Sequence, residues 1–382
     1  MFGDTFAGSR VLVTGHTGFK GAWLTQWLLD LGAHVTGYAL DPPTQPSLFE
    51  VIGLAGRAGN DGMFTDLRGD VRDGQALSIA LAHARPDVVF HLAAQPLVRL
   101  SYAEPALTIE TNVMGTVNLL ETVRTAGDPG RWPRAVVVVT SDKCYENRES
   151  GHAYVEEDGL GGWDPYSASK AGAELVCDAY RRSFFLEAGS PHLATVRAGN
   201  VIGGGDWGEE RIVPDCVRSV ISGRPVEIRN PGAIRPWQHV IEPLAGYLRL
   251  GAELLHGASL GADSASPAAS AWNFGPGPEA KLTVRELVER FLESWGQGEW
   301  LIVGGEDTSP HEAGLLSLDA SKAKRELGWR SVWSAADAVD ASVAWYRCWN
   351  DGGDEEVLVD RMRADVAAYR AAALKMSIPW VS

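Results

Sequence analysis

"RVLVTGHTGFKGAWLTQWLLDLG", residues 10–32, is the stretch whose reading decides the fold. It opens with the apolar run "RVLVT", of strand length and rich in β-branched residues, and closes with a helical pattern of apolar residues. Between them Gly15, Gly18 and Gly21 mark a tight turn, with Thr17, Phe19 and Lys20 completing it. Glycines at a strand-to-helix turn let the backbone approach a diphosphate closely, and the helix N-terminus supplies amide donors to it. Glycine-rich turns are common, so the glycines alone settle little. The context adds the weight: "AHVTGYAL" reads as a second strand, and Asp41 follows at its end, about 20 residues beyond the turn. An acidic residue there accepts hydrogen bonds from a ribose 2′-hydroxyl and repels a 2′-phosphate, which favours NAD over NADP.

Working outward, "GMFTDLRGDV" reads as a third strand and loop that brings Asp70 and Val71 toward an adenine edge, although an aspartate in a loop is unremarkable by itself. "DGQALSIALAHARP" is a helix, and "DVVFHLAAQP" is a fourth strand. Its small end, Leu92, Ala93 and Ala94, leaves room for a flat cofactor; His91, in apolar company, reads as structural. A long helix is expected from Glu104 to Arg124, with Asn112 inside it. "RAVVVVTS" is apolar on both faces, as a central parallel strand must be. A further helix is expected from Tyr166 to Ala188, stopped by Gly189, and "LATVRAGNVIG" closes the βα series. The order fits an α/β fold: a Rossmann-like, doubly wound parallel sheet with right-handed crossovers. Residues 1–200 are expected to form mainly the NAD-binding domain. Residues 201–382 form mainly a smaller, mixed substrate-binding domain, with segments near 235–275 returning to the first. Residues 256–270, small and polar, read as a surface excursion.

Composition narrows the class. The chain has 382 residues, 45% of them hydrophobic, and a net charge of −15 from 34 basic and 49 acidic side chains. That balance argues against a nucleic-acid partner, which needs a basic face. Four scattered cysteines form no CxxC pair and suit a reducing compartment. With no apolar run of membrane length and no leader pattern, the expectation is a soluble cytoplasmic protein with no membrane partner. No His, Cys and carboxylate cluster has metal-ligand spacing.

"YSASK" sets Tyr166 and Lys170 at i and i+4, on one helix face. A phenol with a pKa of about 10 needs help to act as a base near neutrality, and a lysine cation beside it favours the phenolate. The same lysine can hold a nicotinamide ribose. "VVVVTSDKCYENRE", residues 136–149, adds Ser141, Asp142 and Lys143 at the mouth of the central strand, where ligands bind in such sheets. Taken alone these three also fit a turn cap and a solvated loop end.

Taken together, "TGHTGFKGAWL", "LDPPTQPSLFE", "TSDKCY", "GNVIGGGDWGEERIVPD" and "RPWQHVIEPLAGYL" resemble the extended short-chain dehydrogenase/reductase family over almost the whole chain. Within it they resemble the nucleotide-sugar 4,6-dehydratases, in the branch that takes CDP-glucose. The resemblance implies bound NAD as a reusable hydride carrier. Sugar C4 is oxidised, the C6 hydroxyl leaves as water after loss of the C5 proton, and hydride returns to C6. It implies Tyr166 as base at the C4 hydroxyl, supported by Lys170 and Ser141, with Asp142 as acid at C6 and Lys143 as base at C5. The family usually carries glutamate where this chain has Lys143. A lysine base needs a lowered pKa and an aspartic acid needs a raised one, and an ion pair between the two would oppose both. The resemblance also places Gln95, Asn112, Asn200, Arg211 and Arg235 near the sugar nucleotide, with Asn112 helping to position the active-site architecture and His239 either lining the pocket or packing it, and implies a homodimer or homotetramer built through long helices. Two other readings stay open: a 4-epimerase, which needs no acid and base for elimination, and an NAD-binding protein without turnover.

Overall fold

A computed structural model of the chain describes residues 1–59, 62–126, 133–148, 151–187, 189–259, 266–277, 280–303 and 316–381. Seven strands form one parallel sheet: β1 (Arg10–Thr14), β2 (His34–Ala39), β3 (Phe64–Arg68), β4 (Val88–His91), β5 (Ala135–Val139), β6 (His192–Ala198) and β7 (Ala271–Phe274). Their spatial order is β7-β6-β5-β4-β1-β2-β3. Strand β1 pairs with β2 on one side (Val13 with Gly37) and with β4 on the other (Val13 with Phe90). Strand order therefore reverses at β1, and the crevice at the carboxyl ends of β1 and β4 is where a ligand fits this architecture.

Both faces of the sheet are dry, which explains the unbroken apolar runs. Val11, Val13 and Val137 enter one core with Trp23, Trp27 and Leu244, while Leu12, Val136 and Val138 enter the other with Leu77, Leu119 and Cys177. Helix α1 (Phe19–Asp30) and α2 (Gly74–Ala84) follow β1 and β3. Asp73 caps α2 by accepting from the amides of Gln75 and Ala76, each at 3.0 Å. The long helix expected around Asn112 exists, but in three parts: Pro105–Ile109, a π-turn at Glu110–Met114, and α3 (Gly115–Thr125). Asn112 sits inside the π-turn, a local widening frequently found at functional sites.

Helix α4 (Pro165–Phe184) starts with Asp164 accepting from the Ser167 amide at 2.9 Å and Pro165 at its first position. It stops at Phe184, short of the expected Ala188. The Phe185 backbone leaves helical geometry and its ring enters the second core, so tertiary packing ends the helix before glycine can.

Beyond β6 the chain builds a smaller mixed layer from α5 (Ile212–Ile221), α6 (Ile241–Ser259), α7 (Val284–Trp295), α8 (Ala335–Asn350), α9 (Glu355–Lys375) and short two-stranded ribbons. Helix α6 packs across β5 and β6, and β7 then adds to β6, so Ile241–Ser259 and Ala271–Phe274 rejoin the large sheet. Part of the expected surface excursion, residues 260–265, lies outside the described residues. Thr283 and Glu286 form a reciprocal cap on α7, as Ser334 and Asp337 do on α8. Glu242, fully buried on α6, accepts from the amides of Val332 (2.8 Å) and Trp333 (2.6 Å) and from the Tyr369 hydroxyl (3.1 Å). That one carboxyl ties α6 to the start of α8 and to α9.

Candidate active site

The glycine turn packs tightly against the end of β4. Gly15 has a φ of +76°, and a Cβ there would lie 2.7 Å from the Ala93 nitrogen. A Cβ on Gly21 would lie 2.1 Å from the Gly15 oxygen. Neither position can carry a side chain without opening the turn. Thr14 Oγ1 accepts from the Ala93 amide at 3.2 Å, and Thr17 Oγ1 donates to the Leu40 carbonyl at 3.0 Å, pinning the turn to the ends of β4 and β2. Gly18 caps α1, whose first amides face the crevice end of the sheet. The Phe19 ring packs toward Gly203, where a Cβ would meet it at 3.0 Å. This cradle fits a dinucleotide diphosphate. Asp41 follows β2 with its carboxylate almost fully exposed and Arg68 at 3.6 Å, beside a surface cavity of about 490 Å³ lined also by Pro42, Thr44, Phe49 and Glu50.

Asp70 and Val71 sit where the third strand ends, but their side chains are already used. Asp70 takes two hydrogen bonds from the Arg72 guanidinium, at 2.9 and 2.6 Å, while Val71 is buried against Gly115 and gives its carbonyl to Asn118 at 3.0 Å. Leu92, Ala93 and Ala94 are half-buried along the crevice.

Past β5 the chain turns sharply. Ser141 caps a 3₁₀ turn, Asp142–Cys144, accepting from the Lys143 amide at 3.2 Å and donating to Asp142 Oδ1 at 3.0 Å. Ser141 and Asp142 are buried and Lys143 is half-buried. A Cβ on Gly199, just past β6, would come within 3.0 Å of Asp142 Oδ2, so this glycine makes room for the carboxyl. Burial raises the Asp142 carboxyl above its ordinary range, against the pull of Lys143, Ser141 and Lys20. Asp142 therefore holds its proton more tightly than a solvated aspartate does.

Tyr166 and Lys170 lie buried on α4. Burial works against the help that Lys170 is expected to give the phenol. Burial pushes Tyr166 up to about 12; the Ser141 hydroxyl and then Arg211 pull it back in part, with Asp142 opposing them. Lys170 Nζ lies 6.0 Å from the Tyr166 ring centre and donates to the Val139 carbonyl at 3.4 Å. Burial, with help from the Lys20 charge, brings Lys170 down to about 8. Lys20 falls to about 8 as well, through burial and the nearby Arg211, with Asp142 and Asp206 opposing. Lys20 thus stands between the cofactor turn and the reacting side chains, a position that its place in a glycine motif did not reveal.

Arg211 precedes α5 and donates to Asp206 Oδ2 at 2.8 Å, which holds its guanidinium toward the same pocket as Tyr166 and Lys20. Asn200 follows Gly199, its carbonyl accepting from the Gln238 amide at 3.4 Å. Arg235 is half-buried on the Ile234–Pro236 ribbon, opposite Leu282. Three further residues expected near the substrate turn their side chains to the protein. His239 is fully buried with its ring edge-on to Trp23 (5.7 Å) and Trp333 (5.1 Å), and burial lowers it to about 3, so it is a neutral core residue. Gln95 and Asn112 spend their amides on the protein. Asn112 Oδ1 accepts from the Gln95 amide (2.8 Å), and its Nδ2 donates to the Gln95 carbonyl (3.1 Å) and Ser169 Oγ (2.8 Å). Gln95 Nε2 donates to Thr108 Oγ1 (2.8 Å) and the Leu97 carbonyl (3.1 Å). Both hold the β4 loop against α4. Among the described residues no cluster of His, Cys and carboxylates could hold a metal ion.

A family profile for GDP-mannose 4,6 dehydratase matches residues 12–250, which include the turn, the Ser141–Lys143 segment and α4. The chain belongs to this family. A CDP-glucose 4,6-dehydratase of Salmonella typhimurium is 48% identical over 374 residues, covering 96% of this chain and 98% of that one. A dTDP-glucose 4,6-dehydratase of Streptomyces antibioticus is 29% identical, covering 88% of this chain and 92% of that one. Among solved structures, a dTDP-glucose 4,6-dehydratase of Streptomyces venezuelae, crystallised with NAD, superimposes with a TM-score of 0.71 at 30% identity, covering 91% of this chain and 99% of that one. The family architecture is that of the extended short-chain dehydrogenases/reductases, a Rossmann-like sheet with a smaller mixed domain.

Proposed function

We propose that this enzyme is an NAD-dependent CDP-glucose 4,6-dehydratase that forms CDP-4-dehydro-6-deoxy-D-glucose and water. The observation that carries the reading is the buried Asp142 beside Ser141 and Tyr166, with Lys143 on the same turn. A 4-epimerase needs a base at C4 but no second acid and base. The relative at 48% identity supports the choice of CDP-glucose, and the structural relative solved with NAD supports the cofactor.

NAD, when bound in the glycine cradle, supplies a hydride acceptor for C4 and the donor for C6. The residues of the chain manage the protons. Tyr166 takes the C4 hydroxyl proton while Ser141 steadies the same oxygen. The resulting ketone acidifies C5, and Lys143 takes that proton. Asp142, whose carboxyl burial raises above its ordinary range, delivers its proton to the departing C6 hydroxyl, so water leaves. Lys143 returns its proton to C5 when C6 is reduced. Tyr166 then holds one proton too many and Asp142 one too few. Ser141, which donates to Asp142 at 3.0 Å and neighbours the Tyr166 hydroxyl, links the two and resets them. Arg211 grips the diphosphate with a fork that matches its oxygens; Asn200 and Arg235 approach the nucleotide from the second layer.

We assign the subunit contact to the layer formed by residues 105–125 and α4, where Ile109, Met114 and Leu175 are 39%, 46% and 60% exposed, giving a homodimer or a pair of dimers. The function is tested by incubating the protein with CDP-glucose and NAD+ and identifying the sugar. A 4-keto-6-deoxy product without net NADH supports it; an epimeric hexose that keeps its C6 hydroxyl refutes it.

A further inference from the structure

Two separate segments carry the chemistry, Ser141–Lys143 on a turn and Tyr166 with Lys170 on α4, and a buried ion pair behind them touches both. Glu174 lies on α4 one turn past Lys170 and two past Tyr166, so the three share a face. Its carboxylate and the Arg197 guanidinium on β6 are 3% and 4% exposed and meet at 2.8 Å. Glu174 Oε1 accepts from Thr140 Oγ1 at 2.5 Å, and Oε2 accepts from Thr195 Oγ1 at 2.8 Å. Thr140 is the residue immediately before Ser141. On the other side, Arg197 Nη1 donates to the Tyr145 hydroxyl at 2.7 Å, which donates to Asn273 Oδ1 on β7 at 2.7 Å. Tyr145 is the residue that ends the Asp142–Cys144 turn. The turn is therefore held at both flanks by one ion pair whose acidic member rides on the catalytic helix.

We infer that Glu174 and Arg197 are positioning residues that set the register between the oxidation pair, Tyr166 and Lys170, and the elimination pair, Asp142 and Lys143. A buried pair is weak evidence of stabilisation, because desolvation offsets much of the attraction. Its geometric content is stronger: every carboxylate bond of Glu174 runs to a strand that carries or flanks the turn. Oxidation and elimination attack adjacent carbons of one bound sugar, so a small slip of the turn against the helix leaves C4 oxidation possible while misplacing the acid and base at C5 and C6.

The inference rests on the dehydratase reading, and the parent protein tests that reading separately. Breaking the ion pair outright strands a buried charge and risks misfolding, so the flanks are released instead. Thr140→Val removes one anchor with little change in shape, Tyr145→Phe removes the other, and Thr140→Ser keeps the hydroxyl. With CDP-glucose and NAD+, rapid mixing follows NADH absorbance while product analysis follows water loss. The Val and Phe variants combined are expected to lower the ratio of elimination to C4 oxidation at least tenfold, so NADH and the 4-ketohexose accumulate. Thr140→Ser is expected to keep the parent ratio. A folded double variant whose ratio stays within twofold of the parent, whatever its melting temperature, overturns the inference. A parent that oxidises but releases no water overturns the function itself.

Discussion

Burial takes water away from the Asp142 carboxyl, and the nearby lysines give back only part of that solvation, so the proton is held at higher pH than in a solvated aspartate. Asp142→Asn, which keeps the shape but has no proton to give, should lower dehydration by 10²–10⁴-fold, the range for loss of a general acid. Lys143→Met should leave C4 oxidation close to the parent rate and block water loss, visible as a stoichiometric rise in NADH absorbance. Dehydration near the parent rate in that variant would remove Lys143 from its role. The pH dependence has a definite sign. Lys170 and Lys20 are cations below about 8 and lose their charge above it, so activity and NAD affinity should fall along an alkaline limb near pH 8. NAD titrations from pH 7 to 9.5 would check it; an affinity flat across that range would contradict it.

At the scale of elements, the strands and the two ends of the cofactor turn were readable because unbroken apolar runs, glycine spacing and Asp41 are local signals. What escaped was set by packing. The end of α4 depends on the Phe185 ring finding a core, and the π-turn at Asn112 follows from its bonds to Gln95 and Ser169. His239 could line the pocket or pack it by its place in the sequence, and packing decides: it faces Trp23 and Trp333 inside the protein. Glu242 gave no signal in sequence, since one glutamate on a helix is ordinary. Its carboxyl is raised by burial from 4.5 to about 7. The folded state then binds more protons than the unfolded state between those values, so stability falls as pH rises through that window, by roughly 3 kcal/mol in all. Glu242→Gln, neutral at every pH and still able to accept from the Val332 and Trp333 amides, should melt higher than the parent at pH 8. The gap should close by pH 5. Parallel melting curves for parent and variant would contradict the assignment.

Over the whole molecule, the sheet order places a nucleotide cradle and a catalytic turn at one edge, and the smaller layer returns through α6 and β7 to brace it. The apolar residues left exposed on the 105–125 segment and α4 should pair subunits. Met114→Glu with Leu175→Glu should shift the protein toward monomer in sedimentation while far-ultraviolet dichroism stays unchanged; an unchanged sedimentation coefficient would place the interface elsewhere. The central claim is that one hydride leaves C4 and returns to C6 of the same sugar while C5 loses and regains a proton. Turnover of CDP-glucose deuterated at C4, in ordinary water, tests it most directly. The account predicts a 4-keto-6-deoxy sugar with deuterium at C6, protium at C5 and no free NADH. Deuterium retained at C4, or a product that still carries its C6 hydroxyl, would contradict it.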